Sequence, residues 1–321
     1  MIRPAVRILV FYNTCLPSDR FDAVIDFSSY GPQETQDSTR LLRNKAHIYV
    51  HISTDSVYDV CDIQHREVPL KEEQAVRPED PYRRDLLNSH HDYGNRKLQA
   101  EEALVKQRGE ADGGIPYVIL RLPDVIGPRD TTYRFWIYQL WIRLASMLPK
   151  QPVVIPKYLV DYKISFVYVD DVAQAILEIL KPSNRDAVYD QVFNLAWPQT
   201  MTLKQLLYDI KAELGVEEEN FNADNESSNV YFYPTGRTGP LDPSKAEKAF
   251  GWKPTPWKEA VSKTVQFYEA ALASGKFDTQ RDEIIQIQAM QFYSDDKLHF
   301  YDTLEKTYNI NISHFKPHDE L

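Results

Sequence analysis

An apolar run at residues 46–52 that stops on four consecutive polar side chains, Ser53, Thr54, Asp55 and Ser56, constrains this chain more than any other stretch. A short unbroken apolar run reads as a strand buried on both faces, the pattern of a parallel sheet covered by helices. Ending it in hydroxyls and a carboxylate delivers polar groups to a sheet edge. Further along, Tyr93 and Lys97 stand four apart at the head of a helical pattern that continues through Leu98, Glu101, Glu102 and Leu104. Residues at that spacing share one helix face. A hydroxyl donor, a phenol and an ammonium brought together make an acid-base site.

The flanking segments fit a βαβ rhythm. Residues 5–12 read as a strand or short packed segment, 23–27 as a strong strand closed by Ser28, Ser29, Tyr30, Gly31 and Pro32, and 34–43 as a helix leading into the strand at 48–52. Residues 60–90 are rich in charge and proline and read as a long surface loop. After the helix opened by Tyr93 comes a buried strand, PYVILRL, that runs into PDVIGPRD, a glycine and proline loop over 123–130. An aromatic helix over 133–147 reads as core or as packing against a neighbour. Beyond it lie a strand at 153–155, a strand and helix in ISFVYVDDVAQAILEIL capped by Asp170 or Asp171, a strand at 192–196, and a helix opened by Thr200 or Thr202. A short Asp-capped helix ends at Gly251, with Trp252 packing back. A further helix covers 257–274, and 277–321 carries charged, aromatic helical patches.

Hydrophobic residues make up 43% of the 321, so a sizeable core is affordable, and the net charge of −10 disfavours a nucleic-acid partner. No apolar run reaches the roughly 18 to 20 residues of a membrane span. The two cysteines, Cys15 and Cys61, offer neither a disulfide framework nor zinc spacing, so no metal is expected and the reducing cytoplasm is the expected compartment. The C-terminal HDEL matches an ER-retention address, but the N-terminus lacks a clear secretory signal to go with it.

A lone YxxxK carries little, and this chain has a second at Tyr293 and Lys297 that no hydroxyl-ended strand precedes. The specificity lies in a series: FDAVIDFSSY, HISTDSVYD, YGNRKLQAEE, LRLPDVIGP, FVYVDDVAQAI, VFNLA and LDPSKAEKAFGWKP. Over about residues 20–270 this order resembles the extended short-chain dehydrogenase/reductases, the NAD-dependent epimerase/dehydratase group. The resemblance implies an α/β fold with a Rossmann-like parallel sheet over 1–197 and a smaller mixed substrate part over 198–321, with 131–165 also reaching the substrate side. It implies NAD or NADP as cofactor, a small sugar-like or nucleotide-sugar substrate, and a homodimer through the helix carrying Tyr93 and its neighbour.

By the same resemblance Thr54, Tyr93 and Lys97 are the catalytic group, with Asp55 beside them. Tyr93 exchanges the proton of a substrate hydroxyl, Thr54 hydrogen-bonds the same oxygen, and Lys97 favours the phenolate and holds the nicotinamide ribose. The cofactor side is drawn from Ser28, Ser29, Tyr30, Ser53, Tyr93, Lys97, Leu122 and Pro123, and the substrate side from Ser56, Asp124 and Arg237. Three departures matter. Dehydratases of this group follow the Asp with Glu, whereas Ser56 stands here, which favours epimerisation or ketone reduction. The usual substrate-facing Asn is Asp124, and the Arg expected before the VDD helix is Lys163 or Ile164. No GxGxxG or GxxGxxG occurs, so the family's first strands and pyrophosphate-binding turn are expected to be missing. Two readings result: an NAD(P)-dependent epimerase or reductase, or an inactive isoform or binding scaffold that keeps the fold without the dinucleotide.

Overall fold

Apolar strands flanked by amphipathic helices bury both faces of a sheet, and the computed structural model shows that arrangement. It describes residues 20–145, 153–217, 221–224, 233, 239–274, 277–289 and 294–310. The order is β1 (Val24–Asp26), α1 (Pro32–Leu42), β2 (Tyr49–Thr54), α2 (Pro81–His90), α3 (Asp92–Arg108), β3 (Tyr117–Leu122), β4 (Asp124–Ile126) and α4 (Arg134–Ala145). Then come β5 (Val153–Pro156), β6 (Lys163–Ile164), β7 (Phe166–Tyr168), α5 (Val169–Ile179), α6 (Arg185–Val188), β8 (Gln191–Asn194), β9 (Met201–Thr202) and α7 (Leu203–Leu214). β10 (Phe221–Asp224), α8 (Ser244–Phe250), α9 (Trp257–Ser274), α10 (Asp278–Ala289) and α11 (Ser294–Tyr308) follow among the described residues.

The main sheet is parallel throughout, in the order β1-β2-β3-β8. Parallel neighbours need crossovers, and helices supply them on both faces. On one face Leu42 of α1 and Leu104 of α3 pack with Val24, Tyr49, Tyr117 and Ile119. On the other, Val172, Ile176 and Ile179 of α5 and Phe250 of α8 pack with Val50, Val118, Leu120 and Phe193. Because all four strands run the same way, Asp26, Thr54, Leu122 and Asn194 end at one edge, where α/β sheets place their ligands. Leading on from β3, β4 pairs in parallel with β7. The largest apolar cluster joins α4 to α7, α9, α10 and α11, and Phe135, Trp136, Tyr138 and Trp141 of α4 are all buried in it. The aromatic helix is therefore core.

Several local expectations are corrected. The loop expected at 60–90 contains α2: Asp80 caps it by accepting from the backbone N–H of Tyr82 and Arg83, and Pro81 takes the first helical position, where its missing donor costs nothing. Asp170 and Asp171 lie in the first turn of α5 without capping it, and Asp171 instead accepts from the N–H and hydroxyl of Thr255. Thr202 does cap α7, accepting from Gln205 N–H. α8 ends on Gly251 in the left-handed region, φ 73°, with Trp252 buried behind it. Among the described residues no helix is long and apolar enough to cross a membrane.

Candidate active site

β2 ends by turning directly into a 3-10 helix over Asp55–Val60. Thr54 makes that turn, accepting from Ser56 N–H at 3.2 Å, and its hydroxyl lies 3.2 Å from both Asp55 Oδ1 and Ser56 Oγ. The N-terminus of α3 docks on this segment. Gly94 makes the approach: a Cβ there would lie 2.1 Å from the Ser56 carbonyl oxygen, so any side chain would force α3 away. With α3 held so close, the Tyr93 phenol comes near enough to the Thr54 side chain to be influenced by it, while staying 48% exposed.

One turn deeper, Lys97 is 3% exposed. Its ammonium donates to Ser29 O at 2.9 Å and to Ile52 O at 2.7 Å, joining the ends of β1 and β2. The Tyr30 ring, 53% exposed, sits 5.7 Å from that nitrogen and 6.2 Å from the Tyr93 ring. The structure thus brings together Ser28, Ser29, Tyr30, Thr54, Asp55, Ser56, Tyr93 and Lys97. Leu122 lies beside Thr54 in register on β3, and Pro123 is the buried link from β3 to β4.

The electrostatics are those of a closed site. Burial depresses Lys97 to about 8, opposed by the charges of Asp26 and Glu101. Burial pushes Tyr93 above its ordinary value, the Thr54 side chain lowers it, and Tyr30 and Asp55 raise it further. Against the expectation that the Lys97 ammonium brings the phenol toward neutrality, burial dominates and the phenol is raised, while Lys97 donates to two backbone carbonyls. Burial also raises Asp55 well above the usual carboxylate range, reinforced by the charges of Asp124 and Asp59. At neutral pH the phenol is protonated and a hydrogen-bond donor beside Thr54, and burial shifts the Asp55 carboxyl toward its neutral form.

Not every expected residue faces this space. Ser53 points to the opposite side of β2 and gives its hydroxyl to Glu101 at 2.5 Å, because alternate strand residues face opposite ways. Its proposed cofactor contact is corrected to a structural one. Asp124 pairs with Arg134 at 2.9 Å, so its carboxylate is engaged within the protein. Arg237 lies outside the described residues.

The sequence reading passed over four residues on which the site depends. Besides Gly94 these are Asp26, Glu101 and Arg121. Glu101, one turn beyond Lys97 on α3, forms a buried ion pair with Arg121 of β3 at 2.7 Å. Arg121 also donates to Tyr58 OH and Glu72 O, and Tyr58 donates to Asn194. Glu101's spacing after Tyr93 and Lys97 was a visible signal. A carboxylate at the end of AVID was another.

A family model described as the NAD dependent epimerase/dehydratase family matches residues 35–196, just over half of the chain. Human dTDP-D-glucose 4,6-dehydratase is 31% identical over 109 residues, which are 32% of this chain and 29% of that protein. The matched stretch therefore spans under a third of the curated relative. Among solved structures, dTDP-glucose 4,6-dehydratase of Bacillus anthracis in complex with NAD superposes with a TM-score of 0.56 at 17% identity, covering 77% of this chain and 72% of that one. UDP-glucuronic acid 4-epimerase of Bacillus cereus, with UDP-glucuronic acid and NAD, gives 0.54 at 21%, covering 74% and 66%. At these identities the superpositions speak for the fold, a parallel Rossmann-type sheet, while the family-model match speaks for descent. It takes in the ends of β2 and β3 and the whole of α3 on which the site is built. The chain belongs to the NAD dependent epimerase/dehydratase family.

Proposed function

We propose that this chain is an NAD(P)-dependent oxidoreductase of the epimerase or reductase type, acting on a secondary alcohol or ketone of a sugar-like substrate. The observation that carries the reading is the meeting of Thr54, Tyr93 and Lys97 at the carboxyl edge of a parallel sheet, with Lys97 anchored between two strand ends. Tyr93, protonated and close to Thr54, gives a proton to a carbonyl oxygen, or takes one from an alcohol in the reverse direction. Thr54 supplies a second hydrogen bond to the same oxygen. Asp55, whose carboxyl burial shifts toward the neutral form, stands nearby, and Ser56 gives no second carboxylate with which to drive elimination of water. That composition favours reduction or epimerisation over dehydration.

The residues fit the nicotinamide end of a dinucleotide. Lys97 has three donors and spends two on carbonyls, leaving one for a ribose hydroxyl. Ser28, Ser29 and Tyr30 line the same edge, with Leu122 and Pro123 across it. When bound, the dinucleotide would accept or supply the hydride of the reaction. The chain's own residues position the substrate oxygen and move its proton. The nucleotide sugars named with the solved relatives make a nucleotide-linked sugar the first substrate class to try. The absence of a glycine-rich turn from the sequence supports the second reading, a scaffold that keeps this fold without the dinucleotide.

Titration with NADH and NADPH, followed by calorimetry or tryptophan fluorescence, separates the two. Saturable binding below millimolar concentration is expected, and its absence would leave the scaffold. In a binding-competent protein, Tyr93→Phe should lower turnover by about 100-fold or more with cofactor affinity nearly unchanged. Undiminished turnover in that variant would reject the proton-transfer role.

A further inference from the structure

Lys97 is a buried cation, and the charges around it are unequal partners. The groups facing it are Asp26 from β1, His51 from β2, Glu101 and Tyr93 from its own helix, and the Tyr30 ring. Glu101 is already matched, since Arg121 lies 2.7 Å from it and the two share a bidentate contact. His51 is fully buried, neither ring nitrogen has a hydrogen-bond partner, and burial lowers its basicity, so it stands neutral between strand and helix. That leaves Asp26.

The Asp26 side chain does two things at once. Its Oδ1 accepts from Ser28 N–H at 2.8 Å, from Ser28 Oγ at 3.1 Å and from Ser29 N–H at 3.0 Å, an Asx-type turn that fixes the backbone just past β1. The carbonyl presented by that turn is Ser29 O, the acceptor of the Lys97 ammonium. The other carboxylate oxygen accepts from the buried Tyr49 hydroxyl and lies 3.7 Å from His51 Nδ1. Burial pushes Asp26 up, but the nearby His51 ring and the donors from Ser29, Tyr49 and Ser28 outweigh it and hold the group ionised far below the usual carboxylate range. A carboxylate 5% exposed, surrounded by neutral donors and with no arginine or second lysine on it, leaves its charge to act on Lys97.

We propose that Asp26 is a positioning residue for the reaction assigned above: its carboxylate sets the turn that supplies the Lys97 acceptor, and it is the counter-charge that keeps this buried amine cationic. The role within a reaction rests on the proposed function, whereas the coupling between the two side chains does not. A charged Lys97 is a strong donor to a ribose hydroxyl. A neutral amine is a poor one, and nothing else among the described residues replaces the lost charge.

Two substitutions separate turn from charge. Asp26→Asn keeps an oxygen that can accept from Ser28 and Ser29 but removes the negative charge. Asp26→Ala removes both. The first readout is the titration of Lys97 itself, by the ¹³Cε shift of the labelled side chain or the pH dependence of its acylation, in protein without substrate. The wild-type amine is expected to titrate near 8. In Asp26→Asn the midpoint should fall by about one unit, the effect expected on losing the facing opposite charge. A folded Asp26→Asn protein with an unchanged Lys97 midpoint would overturn the proposal. Should neither variant fold, the wild type still decides: the Asp26 ¹³Cγ and Ser29 ¹³C′ resonances should step at the Lys97 midpoint, and the step should vanish in Lys97→Met. A flat Asp26 signal across that range would equally overturn it.

The second readout is the pH profile of turnover. The alkaline limb in Asp26→Asn should move to lower pH by the same amount as the amine, with near-wild-type turnover restored on the acid side. A uniform loss at all pH values would mark Asp26 as merely structural and reject the electrostatic role. A shifted amine in a protein without turnover would uphold the coupling and reject the proposed function instead.

Discussion

At the scale of single residues, Asp55 is the group whose position costs the fold most visibly. Its carboxyl is raised above the usual range by burial, and then by Asp124 and Asp59. The unfolded chain therefore releases this proton at lower pH than the folded one, and stability falls as pH rises from about 4 through the folded value of Asp55. Asp55→Asn should match the wild type in urea unfolding below about pH 4 and exceed it at neutral pH. An equal or lower midpoint at pH 7 would show that burial does not raise Asp55 above its unfolded value. Lys97 has the opposite pH dependence, on the alkaline side. Depressed to about 8, it is a charge held in the interior, so its destabilising effect persists below that pH and is relieved as pH climbs toward the free-lysine range. Sites that bind and react commonly retain such costs.

At the scale of elements, the contact that makes the site is the docking of α3 on the 55–60 turn, and Gly94 decides it. Alanine is the better helix former by about 1 kcal/mol. A Cβ at Gly94 would nevertheless overlap the Ser56 carbonyl at 2.1 Å, and overpacking of that kind costs about 1 to 3 kcal/mol. Gly94→Ala should therefore lower the denaturant midpoint despite its propensity and weaken turnover further by moving Tyr93 from Thr54. A variant as stable as the wild type would mean that α3 can shift outward freely. α2 teaches a related lesson about reading. Asp80 and Pro81 spell an N-cap followed by a first-turn proline, yet the charge and proline content around them reads as loop, because composition averages over a window while a cap is set by two residues.

At the scale of the whole molecule, one buried polar network ties the sheet to the site. Ser53 of β2, Glu101 of α3, Arg121 of β3, Tyr58 of the 55–60 turn, Asn194 of β8 and Glu72 are linked through hydrogen bonds, with Arg121 and Glu101 each under 5% exposed. Removing one member of such a pair strands the other charge. Arg121→Met should cost about 3 to 5 kcal/mol in equilibrium unfolding. Replacing Glu101 and Arg121 together by methionine should recover much of that loss, because no charge then remains uncompensated. Failure of the double variant to recover would show that the wider hydrogen-bond network, rather than the ion pair, dominates.

The sequence by itself determined the parallel sheet, since unbroken apolar runs separated by helical periodicity have few other folds. It also pointed to the proposed trio: a strand ends in the polar run that holds Thr54, Tyr93 and Lys97 share a helix face, and the family resemblance selects the three together. Contacts between distant segments were decided only in three dimensions. That Asp26 supports Lys97, that Ser53 turns to Glu101, and that Asp124 is engaged by Arg134 depend on register and helix docking, which no residue carries in its own neighbourhood. A strand fixes which side a residue faces only once its pairing is set, and the charge state of a buried group is set by every neighbour that burial brings to it.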